Sequence, residues 1–548
     1  MSQTAASNHE RRLAWLDALR GFAALCVVFD HGSTLLLLPV RTFLYQWFNL
    51  GQYGVFVFFL VSGYIVPASL ERRGSVRGFW ISRAFRLYPM FLLVLVLSAV
   101  AYKTGHGTVA NAGEHPAAAV LGWLFMMQNL AAGLNVPVVT WTLSYEMVFY
   151  LLLAGLFSWG VHRRSGLYAT AFAVGAVALG GVLPMAALGH WSNRPGQGPL
   201  ILNAITDVLL LAGLGLTVLS RSRLSRAGAS LAALVALVLV TFNQSYPYPW
   251  SGCVILALMF TGTVIYRVWG DSAPRGGDSV SRGGTTPLSV SRGGATPLHP
   301  PRMGQLRPPI SPPREDAQKA APASPAAAVA GVKAPWWPLA GSAKTALPRA
   351  VAGVKASWLR FAGAAKTAAS GLRGSRWLTG GFVVLVFVVL TVAGDWHGAR
   401  YGYHWQVQWT TSVLLAGATF GVGLAVRKVR IPRWCAWLGV ISYSVYLLHP
   451  LVFDAYRSIP VLHRKHTMPD QILFFAGLLA VIFGLSALTY YLVEKPMQRL
   501  GRRVAAWAGY ATETGSVDGA STRDGAPPAA SRSASSSTAV AGGSGGSP

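Results

Sequence analysis

Charge is what this chain has least of. Only 12% of its 548 residues are of charged types, and just 18 are Asp or Glu, whereas soluble domains carry about 25% charged residues. A soluble globular class is excluded on that ground, and the mean hydropathy of +0.43 agrees. Cysteine is nearly missing too. Cys26, Cys253 and Cys435 each sit in an apolar stretch, which rules out a disulfide framework and the spacing of a metal site. They read as small apolar fillers. Glycine-rich phosphate loops, zinc motifs, haem motifs and a GxSxG nucleophile context are all lacking. Basic residues are plentiful but scattered, so the net charge of +28 does not call for nucleic acid. Anionic lipid and the inward bias of Lys and Arg gather the same excess beside membrane segments. Nor does the start, with Glu10, Arg11 and Arg12, look like a cleavable secretory signal. The apolar run after Arg20 is long enough to remain as an anchor.

What the chain does have is apolar runs of ~17–22 residues, the length a helix needs to cross a bilayer. They lie at 20–38, 52–70, 86–102, 141–160, 166–189, 199–220, 228–243, 251–268, 379–394, 408–426, 435–453 and 471–493. The expected fold is therefore all-α, a polytopic transmembrane bundle of about 10–12 helices. The stretch 117–131 is shorter, holds Gln128 and Asn129, and reads as re-entrant or interfacial. With residues 1–12 in the cytoplasm, only seven of the 46 Lys and Arg fall in outer loops. A multi-pass protein of the cell membrane with both termini cytoplasmic follows. The core is split into 13–268 and 379–500. Between them, 269–378 carries the decapeptide repeat of Ser279–Leu288 and Ser289–Leu298 and a second repeat beginning at Ala328 and Ala350. Its Pro, Gly, Ser and Ala content predicts a long disordered cytoplasmic insert, with a possible surface-lying piece around Trp336–Phe361. The Ser/Gly/Ala-rich tail, 501–548, is expected to be disordered as well.

Ionisable residues inside a bilayer are costly, and each is a candidate for chemistry. Arg20 and His31 share the first helix; eleven residues return to nearly the same face and rise ~16 Å. An arginine at the inner end suits a phosphate, and a histidine in the outer half suits a hydroxyl proton. A snorkelling Arg and a satisfied core His would look the same. Glu146, in WTLSYE near the start of its helix, is expected at the depth of His31, where a carboxylate orients an imidazole. Asp30 is the rival carboxylate, and Asp207 has no matching partner. Arg83 and Arg86, in ISRAFRLYP, share the depth of Arg20 and would complete a basic mouth for a phosphorylated donor; ordinary inward-biased arginines would also explain them. Ser62, in the second span, lines a pocket or permits close helix approach. His449 and Trp141 are candidates for the acceptor site. The aromatic outer loops, Trp250 and Trp405 among them, fit an interfacial belt or sugar stacking.

Six motifs occur in one order: LDALRGFAALCVVFDH, GVFVFFLVSGY, RAFRLYP, WTLSYEMVFY, LGVISYSVYLLHP and LVEKP. In this the chain resembles acyltransferase family 3, membrane O-acyltransferases that modify envelope glycans, exported sugars and some macrolides. The resemblance spans about 13–268 and 379–500; the family's usual ten core helices and its lack of a long insert are points of difference. It implies acyl-CoA, typically acetyl-CoA, as co-substrate, with no bound cofactor or metal, and a sugar- or macrolide-type hydroxyl as acceptor. Arg20 would hold the donor with Arg83 and Arg86, and His31 would be the catalytic base, oriented by Glu146 or Asp30. A covalent acyl-His intermediate is the variant of that scheme. A transporter or flippase for a lipid-linked or sugar-bearing molecule is the competing reading. It accounts less well for three arginines at one mouth, and no inverted repeat of broken helices supports it.

Overall fold

A computed structural model describes residues 2–105, 116–131, 136–184, 187–188, 197–219, 223–243, 248, 250–270, 376–459 and 467–508. The repeats, the Trp336–Phe361 piece and most of the expected insert and tail lie outside the described residues. The helices are α1 (Ser2–Ser33), α2 (Leu38–Tyr45), α3 (Leu50–Arg73), α4 (Val76–Lys103), α5 (Pro116–Leu124), α6 (Trp141–Ser158), α7 (Ser165–Leu179), α8 (Gln197–Leu219), α9 (Arg223–Phe242) and α10 (Ser251–Trp269). After the insert come α11 (Arg376–Gly398), α12 (Tyr403–Ala425), α13 (Arg433–Arg457), α14 (Met468–Thr489), a π turn (Tyr490–Glu494) and α15 (Lys495–Trp507).

Ten helices among the described residues are long and apolar enough to cross a membrane, and the α1–α2 pair adds an eleventh. This is an all-helical transmembrane bundle. α7 answers to the apolar run at 166–189, yet its 15 residues fall short of the ~20 a straight crossing needs. α4 begins ten residues before the expected 86 because Ser75 caps it, its hydroxyl accepting from the Gly78 amide at 3.3 Å. Charged residues in the first turns of α4 hide that start from hydropathy. α1 turns through 116° into α2. The Ser33 and Thr34 hydroxyls fold back onto the carbonyls of Asp30 and His31, and Pro39 stands in the first turn of α2, where its missing N–H leaves no bond unmade.

Two glycine contacts fix the centre. A Cβ on Gly63 of α3 would stand 2.0 Å from the Met259 carbonyl oxygen of α10, and one on Gly439 of α13 would stand 1.8 Å from the Asp17 carbonyl oxygen of α1. Both pairs therefore pack backbone against backbone, as small residues allow in lipid. α3, α6 and α10 are the most enclosed spans and α14 the most peripheral.

After α5 the chain turns back inside the bundle. Gln128 donates to the Thr140 carbonyl at 3.0 Å, while Asn203 and Asn243 donate to the carbonyls of Ala131 and Leu130 at 2.6 and 2.7 Å. Side-chain amides thus satisfy backbone that lipid could not. At one end of the bundle, Glu71 of α3 meets the Arg267 guanidinium of α10 at 2.8 Å, and Arg267 also donates to Ser165 and to the His162 carbonyl. Glu71→Ala should cost about 1–3 kcal/mol by leaving this half-buried guanidinium short of a partner. Thermal unfolding in detergent should show a lower midpoint, while the helical content at low temperature stays that of the unsubstituted protein.

Candidate active site

The functional candidates gather at two levels along α1, the helix that carries both Arg20 and His31. At the first level stand three arginines. The Arg83 guanidinium donates to the Tyr150 hydroxyl at 3.3 Å, and that hydroxyl donates in turn to the Glu146 carboxylate. Arg83 also lies 5.3 and 4.9 Å from the ring centres of Phe79 and Tyr150. Arg20 sits 5.5 Å from the ring centre of Phe58, within electrostatic reach of Arg86, Asp17 and Glu146. Glu494, presented by the π turn and bonded by the Ser444 hydroxyl, faces Arg86 and Arg20. Three guanidiniums are thus set among three carboxylates, as charges withdrawn from water require.

At the second level His31 Nδ1 lies 2.9 Å from His449 Nε2. His449 is wholly buried, whereas His31 lines a cavity of about 180 Å³. Asp30, next to it, accepts from the Tyr45 hydroxyl at 3.2 Å and borders the same cavity with Asn49, Gln52 and Trp141. Tyr248 and Trp409 supply an aromatic wall. They are held from behind by Trp405, which donates to the Tyr248 hydroxyl at 2.8 Å and stacks on Trp409 at 5.5 Å between ring centres.

A narrow apolar gap runs between the two levels. Ala23 and Ala24 of α1 and Gly54 of α3 leave room there beside Phe58, and Val27, Val55 and Tyr446 line both the gap and the cavity. Phe58 stacks on Tyr446, so one aromatic pair reaches from beneath Arg20 towards the imidazoles.

Most of the expected residues find such places, and three stand elsewhere than expected. Glu146 was expected beside His31, but its bonded partner is Tyr150 and its charged neighbours are arginines. The cause is the turn after α5, which starts α6 inside the bundle. Val139 and Trp141 are already at the cavity, so Glu146, five residues on, lies ~7.5 Å deeper. Asp30 is left as the carboxylate beside His31. Ser62 is buried on α3 and is not among the residues lining the cavity. His449, expected to face an acceptor, instead contacts His31 from behind. Sequence reasoning passed over Tyr45, Tyr150 and Tyr446. Tyr150 lies four residues from Glu146, the spacing at which helical side chains meet, and that signal was available. Glu494 was visible only as part of LVEKP.

Residues 13–284 match the family model described as an acyltransferase domain, that of acyltransferase family 3. Among curated proteins, the acyltransferase MdmB of Streptomyces mycarofaciens is 34% identical over 149 residues, 26% of this chain and 38% of that protein. Nodulation protein 10 of Rhizobium leguminosarum bv. viciae is 30% identical over 194 residues, 32% of this chain and 49% of its own length. The O-acetyltransferase OatA of Staphylococcus aureus is 27% identical over 186 residues, 31% of this chain and 29% of its own length. The chain thus spans less than half of each of these relatives. No solved structure matches it. The match over residues 13–284, together with helices built for a bilayer, shows an acyltransferase family 3 domain in a multi-pass membrane protein.

Proposed function

We propose that the chain is an O-acyltransferase that moves an acyl group, acetyl in the simplest case, from acyl-CoA to a hydroxyl of a glycan or glycosylated small molecule. The observation that carries this reading is the lane along α1, with arginines at one end and a cavity-lining imidazole ~16 Å away. That is a span an extended pantetheine arm can cover. A relative named as an O-acetyltransferase supports the same class of reaction. In this reading the donor's phosphates meet Arg20, Arg83 and Arg86 at the cytoplasmic face of the cell membrane. Arg73, close to Arg83 and Arg86, adds charge at the mouth. The thioester then reaches the cavity, whose aromatic wall and amide side chains suit a sugar-type acceptor.

The step balances without a cofactor. The acceptor oxygen attacks the thioester carbonyl carbon while its proton passes to His31. The C–S bond breaks, an ester forms, and the departing sulfur takes the proton to leave as a thiol. Asp30 steadies the transient imidazolium by charge.

The test is thiol release from acetyl-CoA in nanodiscs, scanned over glycosylated acceptors. Release that depends on acceptor supports the reading; donor binding without release under every acceptor class counts against it, and no donor binding favours a transporter. Arg86→Gln should raise the donor KM by about 10–100-fold, the worth of one charge-assisted hydrogen bond of ~1.5–3 kcal/mol, with the acceptor KM unchanged.

A further inference from the structure

His31 and His449 are 418 positions apart in sequence, and their hydrogen bonds form a chain with a fixed direction. His449 Nδ1 lies 3.1 Å from the Val445 carbonyl oxygen, and its ring is bonded to the Tyr446 carbonyl as well. Pro450, next along the helix, brings no N–H to compete for that second carbonyl. Carbonyls only accept, so the Nδ1 of His449 carries the proton. A neutral imidazole has a single N–H, which leaves His449 Nε2 as an acceptor. The 2.9 Å contact then requires the N–H on His31 Nδ1, and His31 Nε2 is left with a bare lone pair.

We propose that His449 is a positioning residue that selects this tautomer of His31 and presents the Nε2 lone pair to the acceptor hydroxyl. The inference rests on the reading of His31 as the base. His449 itself cannot touch an acceptor, being 0% exposed. Its ring is clamped by Tyr446 and Phe453, with centroids at 6.0 and 5.9 Å. Gly32 makes room for that clamp: a Cβ there would stand 2.7 Å from Phe453. The charged groups around His31 are Asp30 on α1, Arg41 on α2 and Arg457 on α13. Asp30 favours positive charge on His31, whereas His449 is wholly buried, so the proton taken from the acceptor stays on His31 Nε2 while Nδ1–H continues to donate. This differs from a carboxylate behind a histidine, because the partner remains neutral and sets orientation and tautomer without supplying charge.

The test compares His449→Leu with His449→Gln, whose side-chain carbonyl can still accept from His31 Nδ1–H. His449→Leu should lower kcat by ~10–100-fold, the usual cost of losing such an orienting partner, with the acceptor KM changed by less than about twofold. His449→Gln should recover most of that loss. In a His31→Ala background the Leu substitution should cost nothing further, since His449 acts only through His31. Nitrogen-15 spectra of the labelled imidazoles, assigned with the two variants, should show His31 as the Nδ1–H form in the unsubstituted protein and a shifted tautomer population in His449→Leu. Equal losses in both variants, a selective rise in acceptor KM, additive losses in the double variant, or His31 as the Nε2–H form would each overturn the assignment. The spectra read the tautomer whether or not any acceptor turns over. An unsubstituted protein without thiol release therefore sinks the acyl-transfer reading and leaves the tautomer itself decided.

Discussion

His31→Ala should abolish most acyl transfer, a loss of about 10²–10⁴-fold in kcat, the range a positioned general base supplies. Donor binding should survive, because the arginine level lies ~16 Å away along the helix. The imidazole is half-buried at the edge of a cavity of about 180 Å³, so its removal enlarges a space that is already open rather than a packed core. One acceptor, His449 Nε2, loses its donor, at a cost of about 1–3 kcal/mol in stability. That is tolerable for a bundle of this size. The enlarged cavity makes a sharper control possible. Free imidazole should enter it and restore part of the turnover, whereas His31→Phe fills the same volume and should stay inactive with or without imidazole. Near-normal turnover in purified His31→Ala would remove the base mechanism and its covalent variant together.

The spans were legible because a bilayer imposes length and polarity at once, and the runs at 52–70 or 251–268 have little other use. Arg20 and His31 were legible for a similar reason. Both lie on one helix, where spacing alone sets face and rise. Relations between helices were another matter. Nothing in the local pattern around LLHP says that His449 comes to rest behind His31, because the meeting depends on where α1 and α13 touch. Glu146 lies deeper than its place near the start of a helix suggests. The turn after α5, held by Gln128, Asn203 and Asn243, begins that helix inside the bundle. Asp30, only one position from His31, needed no knowledge of neighbouring helices to be placed beside it.

The touching point of α1 and α13 carries the other large expected effect. Gly21 and Gly439 face each other there: a Cβ on Gly21 would stand 2.8 Å from the Gly439 amide nitrogen, and one on Gly439 only 1.8 Å from the Asp17 carbonyl oxygen. These are backbone atoms, so no rotamer change makes room. His31 lies ten residues beyond Gly21 and His449 ten residues beyond Gly439, a rise of ~15 Å on each helix. The two helices therefore run side by side from a shared contact, and that contact sets the register of the imidazole pair. Gly439→Ala must push them apart, and a hydrogen bond of 2.9 Å does not survive a displacement of an ångström or so. Transfer should fall by at least ~10²-fold, the cost of an ångström of misplacement in an active site, and thermal unfolding should move down with it. Gly477→Ala is the matched control. Nothing lies within 4 Å of a Cβ at that position, so it should match the unsubstituted protein in both measurements. If Gly439→Ala also matched it, the two helices would have slack at their crossing. The pairing of His31 with His449 would then have to be set somewhere other than this glycine contact.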